Sequence, residues 1–242
     1  MTNEIFKVEN AINTAWSPDG IEIAALRIPQ REGSSPSDTT QGFPVLVGLE
    51  TGDERPLSAD IKEHDLVYQI AWHPAGEVIA YRDGLYDRVT GDRVDLPGVP
   101  VFWSPDGELL FMTFEFKPGF NATTAQLWDL KEGKPLIGLD IRNTGTDEPP
   151  WQYIRRWTAW TPSGRFLMYL DPNPGRYFFR LYDAVEISQK RYGNIKGEAP
   201  SPAPDGAHVV FMDEGNVWVF ALDGSALEDI ADGTLPAWQP QP

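Results

Sequence analysis

The feature that most limits how this chain can fold is a turn of the form Trp-x-Pro-x-Gly that returns along its whole length. Four copies are complete: Trp16-Ser17-Pro18-Asp19-Gly20, Trp72-His73-Pro74-Ala75-Gly76, Trp103-Ser104-Pro105-Asp106-Gly107 and Trp160-Thr161-Pro162-Ser163-Gly164. A fifth, Pro202-Ala203-Pro204-Asp205-Gly206, is degenerate, and a half-copy, Trp238-Gln239-Pro240, follows. Each copy has a mechanical reading. Pro fixes φ near −65°, Asp or Ser can bond the backbone two residues on, and Gly takes the positive φ that closes a tight turn.

The copies are separated by 56, 31, 57, 42 and 36 residues, a mean of about 44, which is the length of a four-stranded propeller blade. An apolar run follows each one, over residues 21–28, 78–81, 109–116, 166–170 and 209–212. These runs are nearly continuous. A strand apolar on successive residues must be covered on both faces, as stacked blades cover one another. A second signal, Leu85-Tyr86-Asp87, Leu127-Trp128-Asp129 and Leu181-Tyr182-Asp183, marks the end of a third strand. Turn residues generally come next, although the fourth repeat continues Ala184-Val185-Glu186 with no glycine. The pattern predicts an all-β chain, a β-propeller of about five four-stranded blades, with residues 1–242 as a single domain. The alternative is six blades with one incomplete, because residues 235–240 read as a first strand and residues 5–9 leave room for one more.

These turns and triplets resemble the WD40-like repeats of the TolB family, whose blades carry the same Trp-Ser-Pro-Asp-Gly turn. The resemblance extends over nearly the whole chain. It implies the propeller fold and a role in binding rather than a reaction. Members of that family include periplasmic envelope proteins that bind partner proteins and propeller domains attached to peptidases.

Charge narrows the partners. With 20 basic against 36 acidic residues the formal charge is −16, which argues against nucleic-acid backbones and anionic membranes and favours solubility. No stretch approaches the ~18 apolar residues of a membrane span. The chain has no cysteine, which excludes disulfides, thiolate metal sites and a cysteine nucleophile. Residues 1–10 lack the basic-then-apolar order of a signal peptide. The sequence is consistent with a cytoplasmic chain if Met1 is the native start, and with a periplasmic or extracellular domain if it is a processed product.

No catalytic signature is expected to operate here. There is no Gly-x-Ser-x-Gly nucleophile elbow and no phosphate-binding glycine loop. The three histidines, His64, His73 and His208, fall at different blade positions, so neither a metal site nor a cofactor is expected. The turn carboxylates read as turn formers, since Ala75 and Ser163 replace them in two copies. The repeat residues Trp16, Gly20, Trp72, Gly76, Trp103, Gly107, Trp160, Gly164, Gly206 and Trp238 are structural on this reading, with the tryptophans packing between blades. A glycoside-processing propeller would need two carboxylates about 5–10 Å apart across the centre. Only Glu198 lies near a predicted innermost strand, so a glycan or small molecule is the alternative ligand rather than the leading one.

Loop length points to the functional end. Turns between strands one and two, and three and four, are short in every blade. Insertions fall at the opposite rim, over residues 29–42, 59–66, 117–123, 140–151, 171–177 and 193–199. Long loops on a rigid scaffold are where binding tends to reside. Between residues 140 and 160, Trp151, Tyr153, Arg155, Arg156 and Trp157 cluster beside Asp147 and Glu148. Trp, Tyr and Arg are the types enriched at interface hot spots. They are the candidate contacts for a protein partner.

Overall fold

The computed structural model describes residues 10–29, 42–58, 67, 69–114, 122–142, 158–173, 176–192 and 198–233. Among them are twenty strands in five four-stranded antiparallel sheets. The first sheet is β1 (Ala11–Trp16), β2 (Glu22–Arg27), β3 (Phe43–Gly48) and β4 (Glu54–Pro56). The second is β5 (Ile70–Trp72), β6 (Val78–Tyr81), β7 (Gly84–Asp87) and β8 (Arg93–Asp95). The third is β9 (Val99–Trp103), β10 (Leu109–Phe114), β11 (Ala122–Asp129) and β12 (Lys134–Arg142). The fourth is β13 (Thr158–Trp160), β14 (Phe166–Asn173), β15 (Arg176–Asp183) and β16 (Ser188–Tyr192). The fifth is β17 (Glu198–Pro202), β18 (His208–Asp213), β19 (Asn216–Ala221) and β20 (Leu227–Asp232). In every sheet the strands lie side by side in chain order, as in a propeller blade.

The continuous apolar runs have their expected cause. Ala24, Ala25 and Leu26 are all fully buried, as are Leu110, Phe111 and Met112. Successive side chains on a strand point to opposite faces, so both faces of β2 and of β10 are covered. Burial falls toward the last strand of a sheet, and every residue of β4, β8 and β20 is exposed.

The chain divides into two compact units, Met1–Trp103 with Leu110–Met112, and Ser104–Leu109 with Thr113–Pro242. In the first unit, Leu26 and Leu46 of the first sheet pack with Ile70, Trp72 and Ile79 of the second. The opposite face of the first sheet gathers Ala25, Val45 and Val47. The register explains this division, since Ala24 pairs with Leu46 on one face and Ala25 with Val45 on the other. In the second unit, Met168 and Leu181 of the fourth sheet pack with Val209, Phe211 and Phe220 of the fifth.

One predicted loop is largely strand. Residues 171–173 and 176–177 pair as the tip of the β14–β15 hairpin, through Asp171 with Phe178 and Pro172 with Tyr177. The fourth-repeat turn that lacked glycine also closes: residues 184–187 form a tight turn with Ile187 at φ 48°. The proposed extra strands at 5–9 and 235–240 lie outside the described residues.

Candidate functional site

The two ends of each sheet differ in construction. At one end all ten connections, residues 17–21 in β1–β2 through 222–226 in β19–β20, are four or five residues long. At the other end lengths vary widely. Arg82 and Asp83 alone join β6 to β7, whereas residues 28–42 join β2 to β3 and residues 143–157 join β12 to β13. The segments 57–69 and 115–121 leave from this end too.

The aspartates and hydroxyls of the Pro-x-Gly turns are consumed locally. Asp19 Oδ1 accepts from Ser17 Oγ at 2.6 Å and from the Ile21 N–H at 3.1 Å. Asp106 Oδ1 repeats this with Ser104 Oγ at 2.5 Å and the Glu108 N–H at 3.0 Å. Asp205 accepts from the Ala207 N–H at 2.8 Å and lies 2.9 Å from His208 Nδ1. Where the aspartate is missing, another acceptor serves: the Ala75 N–H donates to His73 Nδ1 at 3.0 Å, and the Arg165 N–H to Ser163 Oγ at 3.4 Å. The glycines closing these turns have φ from 68° at Gly206 to 89° at Gly76, with Gly20, Gly107 and Gly164 between.

Electrostatics agree with this assignment. The Ser17 hydroxyl and then the Ile21 N–H hold the Asp19 carboxyl below its ordinary value. The Ala207 N–H does the same for Asp205, followed by the His208 side chain. In the third-strand triplets, the Thr90 and Val89 N–H groups lower Asp87. The Arg165 guanidinium is the main cause lowering Asp183. A carboxylate stabilised by its own turn is a structural acceptor. Among the described residues no group of three or more His, Asp or Glu is gathered as a metal site would require.

The tryptophans divide. Trp103 is buried, donates its Nε1–H to Ala71 O at 3.2 Å and meets the His73 ring edge-on at 4.6 Å. It thus ties the third repeat to the second. Trp72 is buried and donates to Gly76 O at 3.0 Å. Trp160 is half-buried. Trp16 departs from the sequence expectation, with 61% of its surface exposed, and Ile21 on the same turn is 55% exposed.

Sequence reasoning missed a charged cluster at the short end. Glu22 of β2 takes Arg55 of β4 on Oε1 at 2.8 Å and Arg88 on Oε2. Arg88 also stands 4.6 Å over the Trp72 ring and donates to Gly76 O at 3.4 Å. The cluster joins the first sheet to the second. No pattern of spacing announces it, because Glu22 and Arg88 are 66 residues apart.

The candidate contacts Trp151, Tyr153, Arg155, Arg156 and Trp157 lie outside the described residues, as do His64 and Trp238. In the chain these five fall between the end of β12 at Arg142 and the start of β13 at Thr158.

No protein-family model and no curated protein matches the sequence. Solved structures do match. The TolB protein of Acinetobacter baumannii aligns over 96% of this chain and 57% of its own, at 15% identity and a TM-score of 0.53. The hydrazine synthase of Kuenenia stuttgartiensis aligns over 88% of this chain and 65% of its own, at 15% identity and a TM-score of 0.55. The chain therefore spans less than two thirds of either. A chain of a nidogen/laminin complex aligns over 90% of this chain and 78% of its own, at 12% identity and a TM-score of 0.51. At such identities the likeness concerns architecture: this chain has a β-propeller fold of five four-stranded sheets, similar to those of TolB and of the nidogen/laminin complex.

Proposed function

We propose that this chain is a non-enzymatic binding module whose protein partner meets the long-connection ends of its sheets. The observation that carries this reading is the contrast between those ends. Ten connections are short, and the aspartates Asp19, Asp106 and Asp205 in them accept hydrogen bonds from their own turns. The variable connections leave from the other end, and surface loops on a rigid scaffold are free to differ without cost to the core. The β12–β13 connection is among the longest and holds Trp151, Tyr153, Arg155, Arg156 and Trp157. Side chains of these types form most interface anchors. A propeller with a similar fold occurs in a nidogen/laminin complex, a setting that fits a protein partner here.

The test is affinity capture from a lysate of the source organism with wild type and with Trp151→Ala/Arg155→Ala in parallel. A partner retained by wild type and weakened at least about tenfold by the double variant, at an unchanged melting temperature, is the expected result. Hydrolysis of model glycosides by the purified protein would overturn the non-enzymatic reading. Loss of folding in the double variant would assign these residues to the core instead.

A further inference from the structure

Each sheet closes on a fourth strand, β4, β8, β12, β16 or β20, that pairs with one neighbour among the described residues. Such a strand offers unpaired N–H and C=O groups, and proteins blunt it with shortness, Pro, Lys or Arg. Four of the five are blunted in this way. β4 is three residues and carries Arg55 and Pro56, and β8 is three residues and carries Arg93. β12 opens on Lys134-Pro135, and β16 contains Lys190 and Arg191. β20 is different: its six residues, Leu227 to Asp232, include no Pro, Lys or Arg, and all are exposed.

Two further properties set what could pair there. Leu227 is 45% exposed and Ile230 is 54% exposed. Ile230 is the extra residue of a bulge opposite Val217 and Trp218, which turns it out of the ladder and leaves Leu227, Glu228 and Asp229 in regular register. Glu228, Asp229 and Asp232 supply three carboxylates in six residues. A second copy laid along this edge would set those carboxylates against themselves, and like charges directly opposite are destabilising. The same charges attract a basic chain.

We propose that β20 accepts an extended basic peptide segment as a fifth strand, its Lys or Arg side chains on one face meeting Asp229 and Asp232 and laying their methylene stems over Leu227, which shares that face. Main-chain hydrogen bonds would give affinity, and the alternating side chains would give specificity. β20 shares no residue with the long connections, so either proposal can fail alone.

The probe is a blocked, ¹³C-carbonyl-labelled peptide of alternating Val and Lys, titrated at low salt, with a Val/Glu peptide as control. Saturable binding of the Val/Lys peptide alone is expected, with its labelled amide I band moving to the strand position. Asp229→Lys/Asp232→Lys should weaken it at least about tenfold at unchanged melting temperature. Should that variant not fold, Leu227→Ser is read in its place. The proposal is overturned by absence of binding, equal binding of the control, or full affinity in the folded variant. A labelled band that stays at the unordered position overturns it too, as charge attraction without strand addition. A dimer in sedimentation that the variant abolishes would make a second copy the occupant and overturn the basic-peptide assignment.

Discussion

Ile187 occupies φ 48° at the end of the β15–β16 turn, with its side chain 64% exposed. In the β11–β12 turn the corresponding last residue is Gly133, at φ 63°. A β-branched residue in this region is strained by roughly 1–2 kcal/mol, and Ile187 recovers little of that through packing. Glycine would relieve the strain while giving back up to about 1 kcal/mol of unfolded-chain entropy. Ile187→Gly is therefore expected to stabilise the chain by roughly 0.5–1 kcal/mol, a rise of about 1–4 °C in Tm. A melting curve unchanged or lowered would show the turn to be unstrained. Residues of this kind mark where sequence reading stops. The Trp-Pro-Asp-Gly turns were legible because each position demands a particular residue type for a stated geometric reason. Ile187 gave no sign, since nothing in its identity announces a left-handed backbone. Trp16 misled for a related reason: it shares its motif with Trp72 and Trp103, but burial depends on what lies alongside.

Between elements, the Glu22 cluster is the clearest tie from one sheet to the next. Glu22 and Arg88 are only partly exposed, at 16% and 22%, whereas Arg55 is 55% exposed, so solvent screening is reduced for the Arg88 pair and largely retained for the Arg55 pair. Removing Glu22 leaves Arg55 and Arg88 without their shared acceptor, and charge-assisted bonds of this kind are worth about 1–3 kcal/mol before that screening is allowed for. Glu22→Ala is expected to cost about 1–2 kcal/mol in urea unfolding. Arg88→Lys should recover little of the function of Arg88, because a lysine keeps the charge but loses both the planar stacking on Trp72 and the second donor toward Gly76 O. Full stability in Arg88→Lys would reduce the cluster to a simple charge pair. At this scale the strands were legible from their apolar runs, and their pairing followed from chain order. Partners 66 residues apart were not, because the chain's path rather than its local pattern brings them together. The candidate contacts at 151–157 were read from the lengths between repeats and lie outside the described residues.

At the scale of the whole molecule, two opposing charge effects fix how stability should vary with pH. The chain carries a formal charge of −16 at pH 7, so its excess carboxylates repel one another in the compact state. As pH falls toward the sequence pI of about 4.5 that repulsion is relieved and stability should rise. The turn aspartates act in the other direction. Asp19, Asp87, Asp205 and Asp223 have carboxyl groups held below the ordinary value of 3.8 chiefly by local hydrogen bonds, and Asp183 chiefly by the Arg165 guanidinium. A folded value below the unfolded one means that the unfolded chain binds protons first. Their contribution is thus complete above the unfolded value and disappears as pH falls from about 4 through the lowered folded values. Tm is expected to climb gently from pH 7 to about 5, then fall steeply below about 4. Salt should raise the neutral limb by screening the repulsion, and change the acid limb less, because hydrogen bonds within a turn are short-range. Asp19→Asn with Asp205→Asn separates the two effects: it should flatten the acid limb while leaving the rise from pH 7 to 5 in place. If the double variant unfolds in acid as steeply as wild type, proton uptake at these turns is not what limits stability there.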